Sequence, residues 1–134
     1  MKKYKVLLDT NMLMLIGKGI DVFDQISEIL VTKPEFYIVK QVINELNKIK
    51  EKGGIKERKT VELVLRLIKE KCKIINIDVK EYASVDDLIL ELASEEGYIV
   101  ATNDRELRKK LRKKGVPQIY LREEKYLLEA WGIE

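Results

Sequence analysis

Short apolar runs alternate with helical patterns along the whole chain, and this alternation constrains the fold more than any other feature. Five runs have the length and composition of strands. They are Tyr4–Leu8, Phe36–Val39, Lys73–Ile77, Tyr98–Ala101 and Gln118–Leu121. Most are nearly continuous in apolar residues, which is typical of parallel strands buried on both faces. We therefore predict an α/β fold, a three-layer α/β/α sandwich around a central, mainly parallel five-stranded sheet, with residues 1–134 as a single domain.

The segments between these strands have the periodicity of amphipathic helices. One apolar stripe starts at Val22 and a second at Val42, and a third helix is predicted from about Lys56 to Lys71. Ser84 is placed to cap a fourth helix, and a basic helix ends at Gly115. In folds of this class, functional groups gather beyond the carboxyl ends of the strands.

The amino-acid counts restrict the chemistry that the chain can perform. Its 134 residues include no histidine and one cysteine, Cys72. These counts exclude Ser-His-Asp triads, Cys-His pairs, histidine-containing zinc sites, disulfides within the chain and Cys-x-x-Cys redox pairs. Any catalysis must therefore use carboxylates, amines, hydroxyls or bound hard cations.

Several carboxylates suit a site at the carboxyl end of the sheet. Asp9 directly follows the first strand, and Asp104 follows the fourth after a short turn. Glu45 lies on the shoulder of an apolar stripe, about 40° around the helix from Ile49. Each also has an ordinary structural explanation. Asp9 and Asp104 could stabilise helix starts, and a shoulder glutamate is often only a boundary residue.

Helical geometry distinguishes Asp86 from its neighbour Asp87. The buried face of the fourth helix is predicted to consist of Val85, Leu88, Ile89 and Leu92. Asp86 lies at the edge of this face, whereas Asp87 points about 100° further round, toward solvent. Asp87 also has a structural role available, as the acid of a capping box. Asp86 is therefore the better site candidate.

Carboxylates that converge without a basic partner repel one another and raise one another's pKa. A hard divalent cation removes this conflict. Mg²⁺ or Mn²⁺ suits such a set of oxygen ligands, whereas zinc would usually recruit histidine or cysteine. A cation of this kind lowers the pKa of a bound water and stabilises the charge that develops during phosphodiester hydrolysis. The acids thus favour a metal-dependent hydrolase.

Positive charge is concentrated in one segment. The chain has 26 Lys and Arg against 23 Asp and Glu, a net charge of +3, but residues 105–114 contain seven basic residues and one acid. That segment carries +6, which leaves −3 for the rest of the chain. The candidate contacts to a nucleic-acid backbone are Arg105, Arg108, Lys109, Arg112 and Lys113. The alternative is a solvated helix face in a protein rich in Lys and Glu.

Four motifs, in order along the chain, resemble those of the PIN-domain family. They are Val6–Asn11, Val42–Leu46, Asp86–Ala93 and Val100–Arg105. The resemblance implies a PIN-like sandwich and endoribonuclease activity that depends on Mg²⁺ or Mn²⁺. It also implies roles for six side chains: Asp9, Glu45, Asp86 and Asp104 as catalytic metal ligands, with Asn11 and Thr102 supporting them.

The last third of the chain is closest in pattern to the ribosomal-RNA-processing PIN endonucleases of archaea and eukaryotes. The similarity lies in the fourth motif, the basic helix and the following Gly115-Val116-Pro117. It implies an RNA partner that is structured or a ribosomal precursor. Two alternatives stay open: a toxin ribonuclease of the VapC type with an antitoxin partner, and an RNA-binding assembly factor without turnover.

Location and assembly are the last expectations from the sequence. No apolar run approaches the roughly 20 residues needed to span a bilayer, and no cleavable signal is evident, so we expect a cytoplasmic protein without membrane contact. The predicted helix from Lys56 to Lys71 has a broad apolar face. This face favours a homodimer as much as it favours ordinary core packing.

Overall fold

The computed structural model describes residues 3–77 and 84–133. The strands in these ranges are β1 (Lys5–Leu8), β2 (Glu35–Val39), β3 (Cys72–Ile75), β4 (Ile99–Ala101), β5 (Gln118–Arg122) and β6 (Leu127–Trp131). The helices are α1 (Thr10–Met14), α2 (Val22–Leu30), α3 (Lys40–Lys52), α4 (Ile55–Lys71), α5 (Val85–Glu96) and α6 (Arg105–Lys113). Two 3₁₀ turns, Leu15–Lys18 and Glu123–Lys125, follow α1 and β5.

The strands form one sheet in the order β3-β2-β1-β4-β5-β6. The first five strands along the chain run parallel, and β6 pairs antiparallel with β5. At the centre, Val6 of β1 pairs with Phe36 of β2 on one side and with Ile99 of β4 on the other. From β1 the chain first adds β2 and β3 on one side. It then returns to the other side of β1 and adds β4, β5 and β6 there. The carboxyl ends of β1 and β4 therefore flank the point where the strand order reverses, which is where α/β folds bind ligands.

The predicted α/β fold with a mainly parallel sheet is confirmed. Each of the five predicted strands is present, with ends that differ by at most two residues. The sheet nevertheless has six strands rather than five, because β6 adds an antiparallel edge that the sequence patterns did not indicate. The expectation of burial on both faces is wrong for β3. This strand lies at the other edge of the sheet, where Ile74 is 54% exposed.

Helices cover both faces of the sheet and bury its centre. One group of helices consists of α1, α3 and α4, in which α1 contacts the other two. A second group consists of α5 and α6, which contact each other. Val6, Leu7 and Leu8 of β1 are fully buried. The predicted helical stripes supply much of the remaining core, including Phe23, Ile26, Val42, Leu46, Val61, Val64 and Ile68.

Local chemistry defines the helix ends near the carboxyl edge. The Ser84 hydroxyl oxygen accepts a hydrogen bond from the Asp87 amide at 3.1 Å, as predicted for the cap of α5. After α6, Gly115 has φ of 69°, a left-handed conformation that favours glycine and ends the helix. In the part of the chain that the structure describes, no helix has the length and apolar character needed to cross a bilayer.

Candidate active site

Asp9 and Thr102 lie side by side at the carboxyl edge of the sheet. Because Leu8 pairs with Ala101, the residues that follow them, Asp9 and Thr102, leave the sheet at the same level. The Thr102 hydroxyl donates to Asp9 Oδ2 at 2.9 Å, and the Asp9 amide donates to the Ala101 carbonyl oxygen at 3.0 Å. Thr102 is fully buried and Asp9 is 5% exposed. The register of the two central strands therefore fixes the position of Asp9.

Asn11 joins the ends of these two strands. Its Nδ2 donates to Asp9 Oδ2 at 3.3 Å, and its Oδ1 accepts from the Asn103 amide at 2.9 Å. The Asn103 side chain extends the network, because its Oδ1 accepts from the Leu121 amide of β5 at 2.8 Å. Asn11 and Thr102, which the family resemblance proposes as supporting residues, thus both donate to Asp9 Oδ2.

Glu45 reaches the same place from α3. This helix starts at Lys40, immediately after β2, so Glu45 lies in its second turn, still near the carboxyl edge. Glu45 Oε1 accepts a hydrogen bond from the Thr10 hydroxyl at 2.8 Å. Since Thr10 directly follows Asp9, this bond holds the Glu45 side chain beside the first acid.

Asp86 and Asp104 approach from the starts of α5 and α6. Asp104 is the N-cap of α6, and its Oδ1 accepts from the Leu107 amide at 3.0 Å. The Asp104 amide donates to the Thr102 hydroxyl oxygen at 3.1 Å, which connects this acid to the network around Asp9. Asp86 lies in the first turn of α5 and is half-buried. The structure places Asp86 in the cleft described next, whereas Asp87 is not among the residues that line it.

All four predicted acids line one cleft of about 400 Å³. Its other lining residues are Thr10, Asn11, Met14, Leu15, Lys18 and Ile49. Thr102 is fully buried behind this surface, and its hydroxyl is hydrogen-bonded to the cleft residues Asp9 and Asp104. The structure thus brings together carboxylates that are 18 to 95 residues apart in the chain, at the point where the strand order reverses.

The acids of the cleft shift one another's protonation. Burial raises the pKa of Asp9 above its ordinary value of 3.8, the hydrogen bonds from Thr102 and Thr10 oppose this rise, and the charges of Glu45 and Asp104 add to it. Burial also raises the pKa of Asp86, to which Asp104 and Asp9 add, while Lys110 opposes the change. Both directions follow from the placing of several negative charges in a partly dehydrated space.

The donor chemistry of the cleft suits a hard divalent cation. Its candidate ligands are carboxylate oxygens, and no ion pair in the described ranges joins any of the four acids to Lys or Arg. The acids stand as separate side chains around the cleft. Within residues 3–77 and 84–133, no three His, Cys, Asp or Glu side chains form a ready-made metal cluster. The acids stay separate for two reasons. Asp9 and Asp104 each direct one oxygen to a backbone amide at a helix start, and the like charges of the carboxylates repel one another.

Comparison with known proteins identifies the family. Residues 6–124 match the family model described as a PIN like domain. The chain belongs to the PIN-like domain family. The resemblance indicated by the four sequence motifs is therefore confirmed for nearly the whole chain.

The relatives of this PIN domain are nucleases by name. It is 35% identical to "Ribonuclease VapC4" of Methanocaldococcus jannaschii over 134 residues, which cover 97% of this chain and 98% of the relative. It is 32% identical to "Ribonuclease VapC9" of Archaeoglobus fulgidus over 120 residues, which cover 88% and 83% of the two chains. Among solved structures it is similar to the PIN domain endonuclease Utp24. The TM-score is 0.75 with 26% identity, and the match covers 97% of this chain and 92% of that one.

The predicted RNA contacts of the PIN domain lie in different surroundings on α6. Arg105, Lys109, Arg112 and Lys113 are exposed. Arg108 is half-buried, and its Nε donates to Gln118 Oε1 at 3.0 Å. Burial lowers the pKa of the Arg108 guanidinium. Arg108 is thus held against β5, whereas the other four residues are exposed.

Three polar residues in or beside the cleft, Thr10, Asn103 and Lys18, were not among the predicted site residues. Thr10 and Asn103 are neighbours of predicted residues within two of the four motifs, and their polar side chains were a signal that could have found them. Lys18 lines the cleft at the end of the 3₁₀ turn after α1. No spacing in the sequence indicated Lys18, because its position depends on how that short turn packs.

Proposed function

We propose that this PIN domain is a divalent-cation-dependent endoribonuclease, a hydrolase that cleaves RNA phosphodiester bonds in the acidic cleft. One observation carries the proposal: Asp9, Glu45, Asp86 and Asp104 line a single cleft at the reversal point of the sheet. Asp104 also directly precedes the basic helix α6, so negative and positive surfaces adjoin there. A polyanionic substrate needs the positive surface for binding, and a cation between the acids provides the chemistry for hydrolysis.

The four acids are the proposed cation ligands, with Mg²⁺ or Mn²⁺ as the ion. A bound divalent cation would activate a water and neutralise charge on the phosphate. Asn11 and Thr102 hold the Asp9 carboxylate, and Thr10 holds Glu45. These hydrogen bonds restrict the orientations of the two carboxylates in advance, so the side chains lose less conformational freedom when the cation binds.

Cleavage of a labelled RNA in Mg²⁺ or Mn²⁺ tests the proposal, and adjacent residues provide a matched pair of variants. Asp86→Asn removes a charge that lines the cleft, whereas Asp87→Asn removes a charge one residue away that does not. We expect at least about 100-fold lower activity for Asp86→Asn, because even substitutions behind a metal ligand cost 10–100-fold. We expect near wild-type activity for Asp87→Asn. Equal activity of the two variants would refute the proposed site.

We further propose that the substrate is a ribosomal RNA precursor. The likeness to the endonuclease Utp24 over nearly the whole chain supports this role, together with the pattern of the last third of the sequence. In cell extract, the purified domain should cut a pre-rRNA fragment at one position, and the Asp9→Asn variant should leave that fragment intact. Cleavage at many unrelated positions would argue against a processing role.

A toxin ribonuclease with an antitoxin partner is the second candidate, favoured by the names of the two sequence relatives. It predicts growth arrest when the domain is expressed, relief by the product of a small adjacent gene, and no arrest with Asp86→Asn. Expression without arrest would exclude this candidate and leave the processing role. RNA binding without cleavage in any divalent cation would instead indicate a non-catalytic assembly factor.

A further inference from the structure

One side of α6 carries a continuous positive stripe. The stripe consists of Arg105, Arg108, Lys109 and Arg112, which line a groove of about 240 Å³. Their i, i+3, i+4, i+7 spacing places the side chains in a row along a helix. Leu107 and Leu111 of the same helix are fully buried, so the core fixes which way the stripe faces.

Two aromatic rings of β5 and β6 lie against this stripe. The Arg108 guanidinium carbon is 3.8 Å from the Tyr120 ring centre, and the same side chain is bonded to Gln118. The Arg112 guanidinium carbon is 5.1 Å from the Trp131 ring centre and 6.0 Å from that of Tyr120. Within the described ranges Arg112 forms no ion pair with a carboxylate. Arg108 is therefore a structural contact, whereas Arg112 is exposed and lies beside the half-buried Trp131 ring.

We propose that the stripe and the Trp131 ring form a binding track for a single-stranded RNA segment. Phosphates contact the exposed charges of the stripe, and one unpaired base stacks on Trp131 beside Arg112. The proposal rests on the proposed function, because it takes RNA as the ligand. Aromatic and guanidinium planes bind unpaired bases by stacking, whereas the bases of a duplex are already stacked on one another. The combination of charge and ring therefore selects an unpaired segment.

The track leads away from the cleft. Asp104, a cleft residue, directly precedes Arg105 at the start of the stripe. Arg112 lies eight residues after Asp104, which is about 12 Å along the helix axis at 1.5 Å per residue. Trp131 pairs with Gln118, the first residue of β5, which the chain enters soon after α6 ends. An RNA strand that follows α6 thus reaches Trp131 a few nucleotides from the scissile bond.

Fluorescence can test the track directly, because Trp131 is the only tryptophan of the chain. The wild-type protein is titrated in EDTA with a short single-stranded oligoribonucleotide, with an abasic oligomer of the same length, and with the corresponding duplex. We expect single-stranded RNA to quench Trp131. The abasic oligomer, which keeps the phosphates, should bind about tenfold more weakly. Equal affinity for the single-stranded and abasic oligomers, or quenching by the duplex alone, would overturn the proposal.

A pair of arginine substitutions tests the contribution of the stripe. Arg112→Gln should weaken the binding of single-stranded RNA and reduce the slope of log affinity against log salt by about 0.7, the value for one lost phosphate contact. Arg66→Gln removes the same charge from an exposed position on α4 and should leave both unchanged. Trp131→Leu should lose affinity for single-stranded RNA, measured by polarisation of a labelled oligomer, with the fold checked by circular dichroism. Unchanged affinity in a folded Trp131→Leu variant would refute the stacking site.

The outcomes separate this track from the proposed enzyme activity, since the titration requires no turnover. Quenching without cleavage in Mn²⁺ would contradict the endoribonuclease and support the track. Cleavage without quenching would support the endoribonuclease and refute the track. Quenching by an acidic peptide that equals quenching by RNA would also refute the track, and would assign the surface to a protein partner instead.

Discussion

Asp9 has surroundings that favour its neutral form although its proposed role requires the charged form. It is 5% exposed, it follows three fully buried residues of β1, and the charges of Glu45 and Asp104 lie near enough to raise its pKa. If Asp9 served only to cap α1, the folded protein would be more stable without these neighbouring charges. The unfavourable surroundings of Asp9 are therefore consistent with a position kept for cation binding rather than for stability.

Removal of the Asp9 charge should stabilise the cation-free protein at neutral pH. Because the folded state raises the pKa of Asp9 above 3.8, the folded state binds its proton more tightly than the unfolded state does. The free energy of unfolding thus falls as pH rises through the interval from 3.8 to the raised pKa, and stays lower above it. Asp9→Asn should have a melting temperature a few degrees above that of the wild type at pH 7 in EDTA. This difference should disappear below pH 3.8, because both side chains are then uncharged.

Addition of Mn²⁺ should reverse the order of the two melting temperatures. A ligand that binds only the folded state stabilises it by mass action, and the wild type keeps the full set of acids. We therefore expect Mn²⁺ to raise the melting temperature of the wild type and to leave that of Asp9→Asn nearly unchanged. An equal rise in both proteins would show that the ion binds elsewhere.

Asn11 should act as a positioning residue for Asp9. Asn11→Ala removes the donor to Asp9 Oδ2 and the acceptor of the Asn103 amide, without removing a charge. We expect the Mn²⁺ concentration for half-maximal cleavage to rise by about 10–100-fold, the usual effect of losing a partner behind a metal ligand. Asn47→Ala, at an exposed position of α3, is the matched control. A purely structural role for Asn11 would lower stability without changing this concentration.

The candidate acids were accessible from the sequence because each adjoins a strong local pattern. Asp9 and Asp104 follow apolar strands, and the helical period places Asp86 at the edge of a buried face. The contacts of Thr10 with Glu45 and of Asn103 with Leu121 were not accessible in the same way. The residues of these two pairs are 35 and 18 positions apart in the chain. Their contacts depend on how separate elements pack together, which no local period encodes.

At the scale of elements, a close approach between the 3₁₀ turn Leu15–Lys18 and α4 shapes one wall of the cleft. A Cβ atom at Gly17 would meet Thr60, with Cγ2 at 2.7 Å and Oγ1 closer still. The Thr60 side chain cannot easily move away, because it is β-branched and its hydroxyl donates to the Lys56 carbonyl oxygen at 3.1 Å. Only glycine therefore allows the turn to bring Lys18 to the cleft.

Gly17→Ala should lower the free energy of unfolding by about 1–3 kcal/mol, the usual cost of an added methyl group in a packed contact. Urea denaturation measures this change. Thr60→Ala removes the atoms in conflict, so the double variant Gly17→Ala/Thr60→Ala should recover most of the loss. If the two single effects simply add in the double variant, the contact with Thr60 is not the cause.

The elements that the sequence indicated are those whose own period decides their structure. The strands β1 to β5 carry apolar runs, and α4 was predicted within one residue of its observed start. In contrast, β6 is a short edge strand with the partly exposed segment Leu127–Trp131. It forms because five of its residues pair with β5, from Gln118↔Trp131 to Arg122↔Leu127, and this pairing depends on the preceding 3₁₀ turn rather than on a strong pattern of its own.

For the whole molecule, the distribution of apolar surface bears on assembly. A groove of about 390 Å³ lies between the start of α2 and the end of α4, and its apolar lining is Ile16, Ile20, Phe23 and Leu67. Leu63, one turn before Leu67 on α4, is 39% exposed. Val61, Val64 and Ile68 are buried, so the broad apolar face predicted for this helix is divided between the core and the surface.

This groove is the surface through which we expect two copies of the chain to associate. In a two-fold symmetric dimer each substitution acts twice, so an effect at Leu63 is doubled. Burial of a leucine side chain contributes about 1.5–3 kcal/mol. Because only the exposed 39% of Leu63 is left to bury, Leu63→Lys should weaken the dimer by about 1–2 kcal/mol, or roughly tenfold. Ile55→Lys alters an exposed position on the same helix, away from the groove, and should leave association unchanged. Light scattering over a concentration series measures both variants, and a wild-type chain that stays monomeric at the highest concentration would contradict the dimer.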